Sequence, residues 1–437
     1  MGTNMRRNSW IAGTVAVLLS LGLVLTALAQ NPAERAALPG DTKLKVFAQA
    51  MTLAEENYAE PKTAKDLVYG AIQGAVSTLD AHSAFMNPDE FKELQIETKG
   101  QFSGIGIEIT LKDQMLIVVS PIEGTPAYRA GIQAGDQIVK INGQTTKNMP
   151  LTEAVKMIRG PKGSKVTLTL NREGFAAPKD FAIVREIIPI RSVKGRLVEG
   201  GIGYIRVTNF QDQTDSDLSA MLKKMRQRVP FKGLVLDLRN DPGGLLDQAV
   251  RVADEFLSSG IVVYTEGRTP QQNMRFYARP GQEGESPPFP MVVLINEGSA
   301  SASEIVAGAL KDQKRALIVG TKSFGKGSVQ TIIPLDDGSA LRLTTALYFT
   351  PSGVTIQDKG IVPDVVVEEK PPPAEKSLQS LRDEALERHM RREGLTDKPW
   401  NQPITAPELE RDLPLKRAVE LLRHWPPPKS LAQNPPA

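Results

Sequence analysis

Two stretches of this 437-residue chain, Gly233 to Leu238 and Met291 to Ile295, are almost wholly apolar. A strand with no polar face is buried on both sides, and such strands sit in sheets covered by helices. The neighbouring pattern agrees. Ile202 to Val207 reads as another strand, and Ser216 to Arg228 and Leu245 to Leu257 read as helices. Arg239-Asn240-Asp241-Pro242-Gly243-Gly244 turns the chain between strand and helix. From about Pro189 to Glu369, strands alternate with crossover helices, an α/β arrangement.

The flanking segments differ. Residues 32–97 carry apolar positions at helical spacing, including Leu67, Ile72 and Val76. Residues 100–188 change to short strands, with one helix expected over Leu151 to Ile158. Residues 268–288 are rich in Pro, Gly, Gln and Glu and read as a surface loop or flap. Beyond the Pro371–Pro373 linker, residues 374–425 read as helical, over Leu378 to Arg392 and Leu413 to Leu422. The Pro-rich residues 426–437 read as disordered. The fold class expected is mixed and multidomain: an α/β core over 189–370, an inserted β-rich domain, and helical segments at both ends. The terminal helices have apolar faces larger than a small cap needs, which points to self-association, as a homodimer or higher homo-oligomer.

At the N-terminus, Arg6 and Arg7 precede an apolar run from Trp10 to Ala29 that ends Ala27-Leu28-Ala29. Residues 1–29 read as a secretory signal or an uncleaved membrane anchor. Either reading places the rest of the chain outside the cytoplasm, in the cell envelope or beyond.

Composition narrows the chemistry. There is no cysteine, which removes disulfides, thiolate nucleophiles and Cys-ligated zinc. The net charge of +3 comes with no concentrated basic patch, so no nucleic-acid partner is expected. The three histidines are His82, His389 and His424, so none lies between residues 83 and 388. Any general base in the core is another residue type. His82 reads as a turn or capping residue, and no metal or cofactor is expected.

The stretch from Asn296 to Gln330 reads N-E-G-S-A-S-A-S-E, a helix, a strand, and then F-G-K-G-S-V-Q. Ser301 follows a buried strand and opens a helix, where a dipole end and unpaired N–H groups are available. Small neighbours let a substrate backbone approach. The N–H of Ala302, with that of Gly243 or Gly244, can be put forward as oxyanion donors. Lys326 lies between two glycines, and burial lowers a lysine's pKa enough for it to act as a base. Gln330 is placed to orient it. On spacing alone, a serine opening a helix is more often its N-cap, and Lys326 is most often a solvated turn residue.

Two resemblances bear on that choice. The run P-A-Y-R-A-G-I-Q-A-G-D-Q-I-V-K-I-N-G at 126–143 resembles a PDZ domain of the permuted bacterial type. This implies a peptide groove between a strand at 104–109 and the helix at 151–158. A terminal carboxylate would meet backbone N–H groups of Gly104, Ile105, Gly106 and Ile107. Arg159, at the end of that helix, is a candidate to report occupancy.

The runs L-D-L-R-N-D-P-G-G-L-L at 236–246, G-S-A-S-A-S-E at 298–304 and F-G-K-G-S-V-Q at 324–330 resemble the carboxy-terminal processing (tail-specific) proteases. That resemblance covers about residues 40–370. It implies an endopeptidase with a Ser–Lys dyad, Ser301 as nucleophile, Lys326 as base and Gln330 as the auxiliary polar residue. Its substrates would be proteins with unstructured apolar C-termini, and a regulatory partner is compatible with it. Asp312 falls on an acidic position of the family and is expected in a structural ion pair. Ala81 and Val354 depart from the family pattern, where proline and a basic residue are usual. The competing reading is a catalytically silent PDZ adaptor or chaperone on the same scaffold.

Overall fold

The computed structural model describes residues 41–112, 114–172, 174–279, 289–369 and 402–426. The expected signal or anchor at 1–29, the helix at 378–392 and most of the tail at 426–437 lie outside the described residues. Among the described residues no helix is long and apolar enough to cross a membrane. The chain divides into two compact units, Met1–Leu79 and Asp80–Ala437.

In the first unit, α1 (Asp41–Asn57) and α2 (Ala64–Ser77) are described. Thr63 opens α2, its hydroxyl accepting the Asp66 N–H. On α1, Leu44, Val46, Phe47 and Leu53 are exposed.

The second unit begins with strand β1 (Ala84–Met86) and helix α3 (Pro88–Lys99), which Asn87 and Glu90 start with a capping box. The turn before β1 is fixed by Asp80, whose carboxylate accepts the N–H groups of His82 and Ser83 and the Ser83 hydroxyl. His82 is therefore a turn residue.

A β-rich segment follows. Its strands are β2 (Gln101–Gly104), β3 (Ile107–Lys112), β4 (Met115–Pro121), β5 (Gln137–Ile141), β6 (Gln144–Thr145), β7 (Lys165–Asn171), β8 (Lys179–Val184) and β9 (Glu186–Pro189). Helices α4 (Pro126–Arg129) and α5 (Leu151–Ile158) pack on them. The strand expected at 104–109 is two strands. Gly104 ends β2, which pairs with β9, and Ile107 begins β3, which pairs with β4. The break falls at Gly106, with φ of 76°. A Cβ there would lie 2.4 Å from Thr125, so only glycine fits.

The core sheet has the order β10 (Val193–Val198), β11 (Ile202–Val207), β12 (Gly233–Asp237), β15 (Met291–Ile295), β16 (Leu317–Gly320), β19 (Val365–Val366). From β11 to β19 the neighbours are parallel, and β10 is antiparallel to β11. One face is covered by α6 (Thr214–Arg228), α7 (Leu246–Asp254) and α8 (Ala302–Asp312). A second sheet joins β1, β13 (Ile261–Gly267), β14 (Arg275–Tyr277), β17 (Ser328–Pro334) and β18 (Ala340–Phe349). The expected loop at 268–288 therefore contains a strand, β14, paired with β13.

The other face of the core sheet is covered by the C-terminal segment, α9 (Ala406–Arg411) and α10 (Leu413–Arg423). Leu415, Ala418, Val419 and Leu421 of α10 are at most 1% exposed, packed with Tyr204, Val235, Val292, Leu294 and Val319. The apolar face of α10, expected to serve self-association, is used inside its own chain.

Candidate active site

In an open parallel sheet, ligands meet the loops that follow the C-terminal ends of the strands. Three such loops come together here, after β12 (238–245), β15 (296–301) and β16 (321–327). The first two are tied by several bonds. Asn240 N–H donates to Asn296 Oδ1 at 2.8 Å, and Asn296 Nδ2 returns to Asn240 Oδ1 at 2.9 Å. Ala300 N–H donates to the Asp241 carbonyl at 2.9 Å, as does Ser303 Oγ at 3.0 Å.

The three serines at 299–303 divide by environment. Ser299 is fully buried, and its hydroxyl donates to the Leu238 carbonyl at 2.8 Å. Ser303 is fully buried and bound to Asp241. Ser301 is half-buried and its hydroxyl makes no capping hydrogen bond. Its backbone sits at φ 55°, ψ −111°, a region costing a non-glycine residue about 1–3 kcal/mol. Strain of this size persists only where the surroundings hold it.

Glu304 supplies much of the hold. It is fully buried, and its carboxylate accepts four hydrogen bonds from two loops. Oε1 takes Ser323 Oγ at 2.6 Å and Gly325 N–H at 2.7 Å. Oε2 takes Ser301 N–H at 2.8 Å and Lys326 N–H at 2.9 Å. A buried carboxylate is tolerated when its lone pairs are filled in this way. Ser301 and Lys326, 25 positions apart in sequence, thus share one oxygen through their backbones. Sequence reading gave Glu304 no role, although Ser301-x-x-Glu304 has the spacing of a capping box.

Lys326 is half-buried. Burial pushes its ammonium below the ordinary lysine range, and the nearby Arg342 guanidinium pushes the same way against Glu304. Gln330 donates through Nε2 to Thr344 Oγ1 at 2.8 Å and to Ser328 Oγ at 3.1 Å. Its Oε1 is buried with no hydrogen-bond partner.

The candidate oxyanion donors separate too. Gly243 N–H already donates to Asp241 Oδ1 at 2.8 Å. Gly243 packs so closely on the Ser301 turn that a Cβ would lie 2.7 Å from the Ala300 carbonyl and 2.8 Å from Ala302 N. Ala302 is the first residue of α8, where an N–H has no intrahelical acceptor. Gly244 N–H has no acceptor among the described residues, because the bridge to Phe210 uses Gly243 O and Leu245 N instead.

Asp241 itself is fully buried, and burial pushes its carboxyl well above the usual carboxylate range. Its Oδ2 has no hydrogen-bond partner. Asp312 lies at the far end of α8, accepting the Ser352 N–H at 2.9 Å. It fastens a turn, where an ion pair was expected.

In the β-rich segment, Ile105 is fully buried and its carbonyl accepts the Ala127 N–H. Arg159 lies over the Phe102 ring at 5.0 Å, pairs with Glu93 of α3, and its Cγ is 3.9 Å from where a Gly104 Cβ would be. Lys156 makes a second pair with α3, to Asp89 at 2.7 Å. A cleft of about 1420 Å³ between α6, α7 and β14, lined by charges of both signs, includes neither Ser301 nor Lys326. Among the described residues no cluster of His, Cys, Asp or Glu is placed to hold a metal ion.

Comparison with known proteins identifies the family. The profile of Peptidase family S41 matches residues 201–367, and that of the PDZ domain matches residues 93–171. A carboxy-terminal-processing protease of Bartonella bacilliformis is 46% identical over 418 residues, covering 93% of this chain and 94% of its own length. The carboxy-terminal processing protease CtpA of Bacillus subtilis is 36% identical over 356 residues, 81% of this chain and 75% of its own. Among solved structures, a photosystem II D1 C-terminal processing protease is 30% identical with a TM-score of 0.43, covering 77% of this chain and 96% of that one. With close to half its residues shared over nearly its full length, this chain belongs to the carboxy-terminal-processing serine proteases of peptidase family S41.

Proposed function

We propose that the chain is an endopeptidase working through a Ser301–Lys326 dyad. The observation that carries this is the Glu304 carboxylate, which joins the backbones of both residues across two loops. Ser301 Oγ attacks the scissile carbonyl as neutral Lys326 Nζ takes its proton. The N–H groups of Ala302 and Gly244 receive the oxyanion. Lys326 then gives its proton to the leaving amine, and water releases the acyl group by the reverse proton route. Gln330 Oε1 accepts from the Lys326 amine and aims its lone pair.

Substrate tails add as a strand in the groove between β3 and α5, the carboxylate meeting the Gly104–Ile107 loop. Capture there raises the local concentration of the tail at the cleft. The apolar run at 10–29 supports export from the cytoplasm, with cleavage or anchoring as its two outcomes. The exposed apolar positions of α1 support self-association.

Ser301→Ala tests the dyad. A flexible peptide with an apolar C-terminus is expected to stay intact and still bind the β-rich segment. Cleavage by that variant at the parent rate would end the assignment. Binding without cleavage by the parent protein would favour the silent adaptor.

A further inference from the structure

The C-terminal segment is pinned to the core sheet at two points. At the first, Arg196 Nε donates to the Gln402 carbonyl at 3.0 Å and Nη2 to the Pro403 carbonyl at 2.8 Å, while Nη1 pairs with Glu408 Oε1 at 3.1 Å. At the second, Asp412 takes a two-pronged bond from Arg239, Nη1 to Oδ1 and Nη2 to Oδ2, each 2.8 Å. Asp412 Oδ1 also accepts the Leu415 N–H and so starts α10.

The second point differs from the first in what it touches. Arg239 is 5% exposed, and its Nε and Nη2 hold Asp237 at 2.9 and 2.6 Å. Asp237 in turn accepts the Tyr204 hydroxyl at 2.8 Å. Arg239 leads directly into Asn240, at φ 55°, and then Asp241, Pro242, Gly243 and Gly244. That is the loop whose Asp241 carbonyl holds Ala300 and Ser303 beside the nucleophile. A planar guanidinium bound bidentately has little freedom to rotate. Its main chain is fixed along with it.

We infer that Asp412 is a positioning residue of the catalytic site, acting through Arg239 on the loop that carries Gly243 and Gly244. This rests on the Ser301–Lys326 reading. The C-terminal segment, outside the stretch matched by the protease family profile, then sets the oxyanion donors as well as covering the sheet.

The test compares variants at the two points in the full chain, with steady-state kinetics, thermal melts and affinity for a peptide boronate, which forms a tetrahedral adduct. Asp412→Asn keeps the helix cap and loses the charge. It is expected to lower kcat at least tenfold with KM within twofold, and to weaken the boronate in proportion. Glu408→Gln is expected to lower the melting temperature and leave kcat per folded molecule unchanged. If Asp412→Asn does not fold, Asp412→Glu serves, its fork displaced by one methylene, with a smaller fall in kcat expected. Parent-like kcat in the folded Asp412 variant, or an equal fall in kcat for Glu408→Gln, would overturn the inference. Failure of the dyad itself would show separately, as residual cleavage by Ser301→Ala.

Discussion

Lys326 donates its backbone N–H to Glu304 Oε2 at 2.9 Å. The proposed base is thereby fastened to the first turn of the helix that Ser301 opens. Glu304→Gln places an amide donor against two of the four N–H and O–H groups that the carboxylate now accepts. Each buried group left without a partner costs about 1–3 kcal/mol. The variant is expected to melt at lower temperature and to lose at least about tenfold in kcat/KM at fixed KM. Full activity in Glu304→Gln would show that the shared oxygen is dispensable.

Arg342 acts on the proposed base. Its charge favours neutral Lys326, in the same direction as burial. Cleavage is expected to rise with pH as Lys326 deprotonates, with a midpoint below the ordinary lysine value of 10.5. Arg342→Gln removes one of the two causes, so the midpoint moves up and the rate near neutral pH falls. A pH–rate profile on either side of the substitution reads this directly. An unmoved midpoint counts against Lys326 as the titrating group.

Gly243 leaves no room for a side chain. A Cβ would press on the Ala300 carbonyl and Ala302 N at 2.7 and 2.8 Å, at a φ of 100°. Gly243→Ala therefore displaces the Ala302 N–H, a proposed oxyanion donor, without changing any polar group. A loss of about 10²-fold in kcat is expected, the size seen when one such donor is removed. Peptide binding to the β-rich segment, followed by fluorescence anisotropy, should be unaffected.

The buried Asp241 carboxyl gives a stability signature. Its pKa is raised, so between the unfolded carboxylate range and the higher folded value the unfolded chain releases the proton first. Stability of the parent therefore falls as pH rises through that window. Asp241→Asn carries no such proton, so its stability relative to the parent should grow over the same window and level off above it. Denaturant melts at a series of pH values test the sign. A constant difference would mean that Asp241 titrates as an ordinary carboxylate.

Much of the site can be read from residue order because three short runs supply three adjacent loops. The almost wholly apolar strands point to a parallel sheet, and parallel strands put their following loops on one edge. The absence of core histidine leaves lysine as the proposed base. What sequence order does not show is contact across long separations. Asp412 looks like an ordinary N-cap, and nothing near it names Arg239. The apolar face of α10 fits a partner or its own sheet equally well by periodicity. The split at Gly106 depends on Thr125, nineteen positions on, and the Gly243 N–H is engaged by an aspartate two residues earlier, a matter of side-chain rotamer.

Arg239 and Asp412 lie 173 positions apart in the chain. Bringing ends so far apart together costs about 4–5 kcal/mol of loop-closure entropy. It is also the kind of distant pairing that comes late in folding. Until α10 is made and docked, Tyr204, Val235, Val292, Leu294 and Val319 have no cover. The protease-like sheet of a half-made chain thus stays open, and the loop beside Ser301 lacks its anchor.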